Sequence, residues 1–168
     1  MEENMLQPVG QVTMKGNNLT LTGLRELETG DVAPNFEVIA QDLSTVDFQS
    51  DFAGKVCVIA SVPSLDTSVC DKQTRNFNEK ATSLSDQVAV LTISMDLPFA
   101  QKRWCGANGI ENVKVYSDHR KAAFGKAYGV LIEELRLLGR AVFVVDKEGI
   151  IQYKQIVSEL TNEPDYEP

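Results

Sequence analysis

The stretch Val56-Cys57-Val58-Ile59-Ala60-Ser61-Val62, followed at once by Pro63-Ser64-Leu65-Asp66-Thr67-Ser68-Val69-Cys70, decides how this chain is read. A continuous apolar run from Lys55 to Val62 is the signature of a central strand covered on both faces. Pro63 ends that strand and stiffens the approach to the next element. Thr67 to Leu84 then reads as a helix, so Cys70 falls in its first turn. Backbone N–H groups there lack carbonyl partners and the helix dipole is positive, which biases a thiol toward the thiolate that attacks electrophiles. Thr67 can cap the helix and offer its hydroxyl to the sulfur. Cys70, Phe77 and Ala81 fall near one stripe, which turns the thiol inward.

Working outward, Gln11 to Lys15 and Leu19 to Thr22 alternate around Gly16-Asn17-Asn18 and predict an N-terminal β-hairpin. Short strands are expected at Phe36 to Ala40 and Val46 to Phe48, and longer ones at Val88 to Ile93 and Val113 to Tyr116. Helices are expected at Phe99 to Cys105 and Lys121 to Tyr128. Arg140 to Val145, the turn Asp146-Lys147-Glu148-Gly149, and Ile150 to Ile156 form a closing hairpin. Strands alternating with helices predict an α/β fold with a central mixed sheet flanked by helices.

The 168 residues, 43% of them hydrophobic, suit one domain over residues 1–168. A net charge of −8 and a pI near 4.7 argue against nucleic acid or anionic membrane as partners. No apolar run reaches a membrane span and Met1-Glu2-Glu3-Asn4 does not begin a secretion signal, which predicts a cytoplasmic protein. In a reducing compartment three cysteines are not a structural disulfide framework. Their spacing fits no zinc pattern and His119 is the sole histidine, so no metal is expected.

Pro63, Thr67 and Cys70 match the Pro-x-x-x-Thr-x-x-Cys signature of peroxiredoxins. Further stations come in order: Asp96-Leu97-Pro98-Phe99-Ala100-Gln101, Arg103-Trp104-Cys105-Gly106, Arg140-Ala141-Val142 and Glu163-Pro164-Asp165-Tyr166. The chain resembles the bacterial thiol peroxidases, the atypical two-cysteine peroxiredoxins, and several stations in order are more specific than the short signature. The resemblance implies a thioredoxin-like fold and the reduction of hydrogen peroxide and organic hydroperoxides. It makes Cys70 the peroxidatic cysteine and Cys105 the resolving one, joined as an intramolecular disulfide and reduced by thioredoxin. It also implies a homodimer, and no metal, flavin or haem cofactor, since sulfur carries the redox chemistry. Family members continue past Glu-Pro-Asp-Tyr into a C-terminal helix that the sequence to Pro168 does not contain; either the protein lacks that helix or the sequence stops short of it, and the face it would cover is expected to need another partner.

By the same resemblance Arg140 is the cation beside Cys70. Read from the residues alone, it is either a strand-end arginine in solvent or a buried guanidinium, which is costly unless it meets an anion. Cys105 on a separate helix would be out of disulfide range, which requires α-carbons within about 7 Å. Turnover is therefore expected to unwind both helix ends. Cys57 reads as a buried small hydrophobe, Trp104 as core, and His119 as a polar loop residue. Two other classes stay open: a redox sensor in which Cys70 oxidation alters a surface, and a cysteine hydrolase with His119 as base. The absence of a Cys-x-x-Cys pair argues against a thioredoxin-type oxidoreductase.

Overall fold

A computed structural model describes residues 6–66, 68–81, 87–110 and 113–164. In chain order the elements are β1 (Gln7–Met14), β2 (Asn17–Gly23), β3 (Glu37–Ile39), β4 (Thr45–Asp47), α1 (Phe48–Asp51), β5 (Val56–Ser61) and α2 (Ser68–Ala81). Then come β6 (Val88–Ser94), α3 (Pro98–Asn108), β7 (Lys114–Ser117), α4 (Ala123–Tyr128), β8 (Leu131–Ile132), β9 (Leu137–Leu138), β10 (Ala141–Val145) and β11 (Ile151–Ile156).

The described strands form two sheets. The larger has the order β11-β10-β5-β6-β7-β3-β4 and is mixed. Its β5-β6 and β6-β7 pairs are parallel, and the pairs flanking them are antiparallel. The apolar run from Val56 lies inside this sheet between β10 and β6, as its lack of a polar face demands.

Alternation along the strands divides the core. Cys57 and Ile59 of β5, Leu91 and Ile93 of β6, and Phe143 and Val145 of β10 pack on one face with Phe36, Phe48, Phe124 and Tyr128. Ala60, Val62, Val90, Val115 and Val142 pack on the other with Cys70, Phe77, Trp104 and Cys105. Successive side chains of a strand point to opposite faces. Cys57 is therefore separated by the sheet from both other cysteines.

The N-terminal hairpin forms, with its turn one step earlier than expected. Met14 pairs with Asn17, leaving Lys15 and Gly16 as the two turn residues, at φ of 50° and 82°. Two left-handed residues give the twist that a two-residue hairpin loop needs, so the turn precedes Asn17-Asn18. The hairpin belongs to a second, antiparallel sheet, β1-β2-β8-β9, and the short β8 and β9 were not legible in the pattern. A small apolar cluster, Val12, Leu21, Ile132 and Leu160, lies beneath it. Phe48, expected to close a strand, instead opens α1, because Asp47 caps that helix by accepting the Ser50 N–H.

The expected helix over Thr67 to Leu84 is described as Ser68–Ala81, and Thr67 and residues 82–86 lie outside the described residues. Helix α3 is longer than expected at both ends: Pro98 opens it and Gly109, at φ 64°, closes it by donating to the Cys105 carbonyl. The closing hairpin of β10 and β11 is as expected. No described helix is long and apolar enough to cross a membrane.

Candidate active site

Three elements converge on Cys70. Strand β5 ends at Ser61, and the chain turns through the buried Pro63 into the first turn of α2, where Cys70 is the third helical residue. Cys70 has no exposed surface and its carbonyl accepts a hydrogen bond from Thr74 Oγ1 at 3.0 Å.

The connecting loop is held by one carboxylate. Asp96, just beyond β6, accepts from Ser64 Oγ at 2.7 Å, from the Leu65 N–H at 2.8 Å and from Ser94 Oγ at 2.7 Å. Ser117 Oγ donates to the Asp96 carbonyl from β7. Acceptors aimed at a backbone N–H and a hydroxyl set the loop's path and leave its polar groups satisfied.

Arg140 arrives from the neighbouring strand. Ala141 pairs with Ser61, and Ser61 Oγ donates to the Gly139 carbonyl at 2.7 Å, so the start of β10 lies beside the end of β5. Arg140 is 1% exposed. Its Nη2 donates to Cys70 Sγ at 3.2 Å and to the Leu160 carbonyl at 2.8 Å; Nε reaches that carbonyl at 3.2 Å, and Nη1 donates to Gln73 Oε1 at 2.7 Å. The solvent-exposed strand-end alternative is thereby removed. A buried guanidinium whose oxygen partners are neutral is offset when the sulfur carries the negative charge.

Cys105 lies in α3 and packs in the same apolar cluster as Cys70. It is buried, which pushes its thiol pKa up, against a smaller lowering from the Gln41 amide that donates to Sγ at 3.5 Å. Cys57, on the opposite face, is pushed up to about 11 by burial. Among the described residues, none of the three cysteines is joined in a disulfide. Trp104 is buried beside Cys105. His119 sits on the loop after β7 with its N–H bonded to Ser117 Oγ, and among the described residues no hydrogen bond joins it to Cys70. No three His, Cys, Asp or Glu side chains gather into a metal site among the described residues.

The structure thus brings Cys70 and Arg140 together, buries Pro63 in the loop between β5 and α2, places Cys105 on the same face as Cys70, and leaves Thr67 outside the described residues. Reading the sequence did not single out Gln73, Asp96 or Leu160 for a role. Gln73 is three residues beyond Cys70, a helical neighbour that periodicity could have flagged. Asp96 and Leu160 carry no local signal of these roles, since Ser64 and Leu65, which Asp96 holds, and Arg140, which Leu160 accepts from, are distant in the chain.

With this geometry established, the likenesses to known proteins are informative. The family described as Redoxin matches residues 28–168. A thiol peroxidase of Halalkalibacterium halodurans is 58% identical over 159 residues, covering 95% of this chain and 94% of that protein. A thiol peroxidase of Bacillus subtilis is 54% identical over 159 residues, covering 95% and 93%. A solved peroxiredoxin-like protein from Aquifex aeolicus superposes with a TM-score of 0.85 at 46% identity, covering 95% of this chain and 93% of the other. These likenesses and the mixed sheet with helices on both faces identify a thioredoxin-like α/β fold. The chain belongs to the redoxin family, among its thiol peroxidases.

Proposed function

We propose that Cys70 is the peroxidatic thiol and Cys105 the resolving thiol of this thiol-dependent peroxidase. The observation that carries the reading is the 3.2 Å contact between Arg140 Nη2 and Cys70 Sγ, with both groups buried. The Cys70 thiolate attacks the terminal oxygen of a hydroperoxide; the O–O bond breaks, and the departing alkoxide or hydroxide takes up a proton and leaves as alcohol or water. Arg140 stabilises the charge that passes from sulfur to the leaving oxygen, the role fixed donors fill best in a dry site. Pro63 is proposed to shape the approach, and Thr67, outside the described residues, is proposed from the family signature as a further site residue.

The resulting Cys70 sulfenic acid condenses with the Cys105 thiol, releasing water and forming the disulfide. Both cysteines are buried on separate helices, so the first turn of α2 and the end of α3 unwind to let them meet. A dithiol protein then reduces the disulfide by exchange and is itself oxidised. Thioredoxin is the proposed reductant, the cytoplasm the proposed compartment, and a homodimer of this one domain the proposed assembly. Hydrogen peroxide and organic hydroperoxides are the proposed substrates.

The test is rapid-quench oxidation of the reduced protein by one equivalent of cumene hydroperoxide, followed by peptide mapping of every thiol. A fast, stoichiometric Cys70–Cys105 link with Cys57 still reduced is expected. Slow or unselective oxidation would overturn both assignments.

A further inference from the structure

The carbonyl of Leu160 accepts two hydrogen bonds from one guanidinium, through Arg140 Nε and Nη2. Such an acceptor sets both the position and the rotation of the guanidinium plane, and with it the direction in which Nη2 faces Cys70 Sγ. Yet Leu160 lies beyond β11, outside the larger sheet, where no strand ladder holds its backbone. Something else must fix it.

That constraint comes from the N-terminal hairpin. The Thr13 N–H donates to the Ser158 carbonyl at 2.6 Å and the Leu160 N–H donates to the Thr13 carbonyl at 2.7 Å. Between them, the Glu159 carboxylate collects Thr13 Oγ1 at 2.9 Å and the N–H groups of Lys15 and Gly16, both at 3.1 Å. Its Oε2 also accepts the Thr161 N–H at 3.0 Å and Thr161 Oγ1 at 2.7 Å. The acceptor thus closes the hairpin turn on one side and the Ser158–Asn162 turn on the other. These hydrogen bonds, led by the Thr161 N–H, hold the Glu159 carboxyl down at about 2, so it is ionised at any working pH.

We propose that Glu159 is a positioning residue for Arg140, acting through the Leu160 carbonyl, so that the N-terminal hairpin helps aim the guanidinium at Cys70. The proposal rests on the peroxidase reading above. Loss of the carboxylate frees the turn that carries Leu160, and a small misplacement of a fixed donor slows a reaction that depends on its direction.

The test is a double-mutant cycle on the rate of the first Cys70 oxidation by hydrogen peroxide, followed by Trp104 fluorescence and checked by quench and mapping. Glu159→Gln is expected to slow that step about tenfold, and to change it less than about twofold in an Arg140→Met background. The Arg140 Nε–H resonance of Glu159→Gln is expected to shift, in a spectrum otherwise as dispersed as the parent's. An unchanged oxidation rate in Glu159→Gln overturns the proposal, as does an equal slowing in both backgrounds, which would reveal general loosening. Should the double variant fail to fold, the resonance decides: a signal that has not moved overturns the proposal. An Arg140→Met protein as fast as the parent would overturn the peroxidase role of Arg140 itself, recognisably, because that comparison leaves Glu159 intact.

Discussion

Gln73 Oε1 accepts the Arg140 Nη1–H at 2.7 Å, three residues along α2 from the thiol that Nη2 of the same guanidinium touches. One helix therefore presents both the sulfur proposed to react and a brace for the cation beside it. Gln73 is fully buried, and its Nε2 has no hydrogen-bond partner among the described residues. Gln73→Met removes the brace and that orphaned donor together. Cys70 oxidation should slow by about tenfold while stability changes little, since losing an unsatisfied group offsets the lost bond. Stopped-flow oxidation beside thermal unfolding checks both halves.

Arg140→Met should slow the first oxidation on the order of a hundredfold, the usual scale for removing one fixed donor from a charge-developing site. It also strips Leu160 and Gln73 of their donors, so unfolding in urea should occur at lower concentration, by roughly 1–3 kcal/mol for each acceptor left buried and unpaired. A parent-like rate with lowered stability would leave Arg140 a structural residue only.

Cys105→Ser should leave the first oxidation within about twofold of the parent, because Cys105 enters only after the sulfenic acid exists. Steady turnover with a protein dithiol should then fall by more than about an order of magnitude, and the trapped sulfenic acid should react with dimedone. Parent-like turnover would show that resolution does not need this thiol.

Cys57 should stay reduced throughout. Burial pushes its thiol up to about 11, and the sheet stands between it and the other cysteines. Iodoacetamide at pH 8 should leave Cys57 unlabelled in the native protein and label it after unfolding. Native labelling at the rate of the unfolded chain would contradict the packing described.

Asp118 gives a pH dependence of definite sign. It is buried, which raises its carboxyl to about 6, although the Gly125 and Phe124 N–H groups and the charges of Lys126 and Arg136 pull the other way. The folded protein then binds a proton more readily than the unfolded chain between about pH 4 and pH 6. Stability from this group is therefore present below that window and lost as pH rises through it, by roughly 2–3 kcal/mol. Asp118→Asn should flatten this part of the stability profile, and urea unfolding of parent and variant from pH 4 to pH 7 measures the difference. A parent whose profile matches the variant's would mean the carboxyl is not raised.

How far the sequence could be read depends on the range of each interaction. The β5-turn-α2 unit was legible because a doubly covered strand, a proline and a helix start each act over a few residues. The opposite facing of Cys57 was also encoded, in the simple parity of Val56 to Val62, although burial alone was inferred from it. The turn at Lys15-Gly16 was displaced by one step because Asn17-Asn18 is the stronger local turn signal, while the strand register and the distant Glu159 carboxylate favour Lys15-Gly16. Arg140 was placed through resemblance, since nothing near it in the chain marks its target.

What the sequence by itself determined, then, is the local chemistry: a thiol at a helix start after a buried strand, a second thiol on a later helix, and an arginine opening an apolar strand. Only the tertiary structure decided what aims the arginine. Asp96, Gln73 and the Leu160 carbonyl act across gaps that the fold alone closes, and a backbone carbonyl is chemically the same at every residue. Which of them meets a guanidinium depends on the hairpin and turn that carry Leu160 into place, and those are set by packing and hydrogen bonds between distant segments.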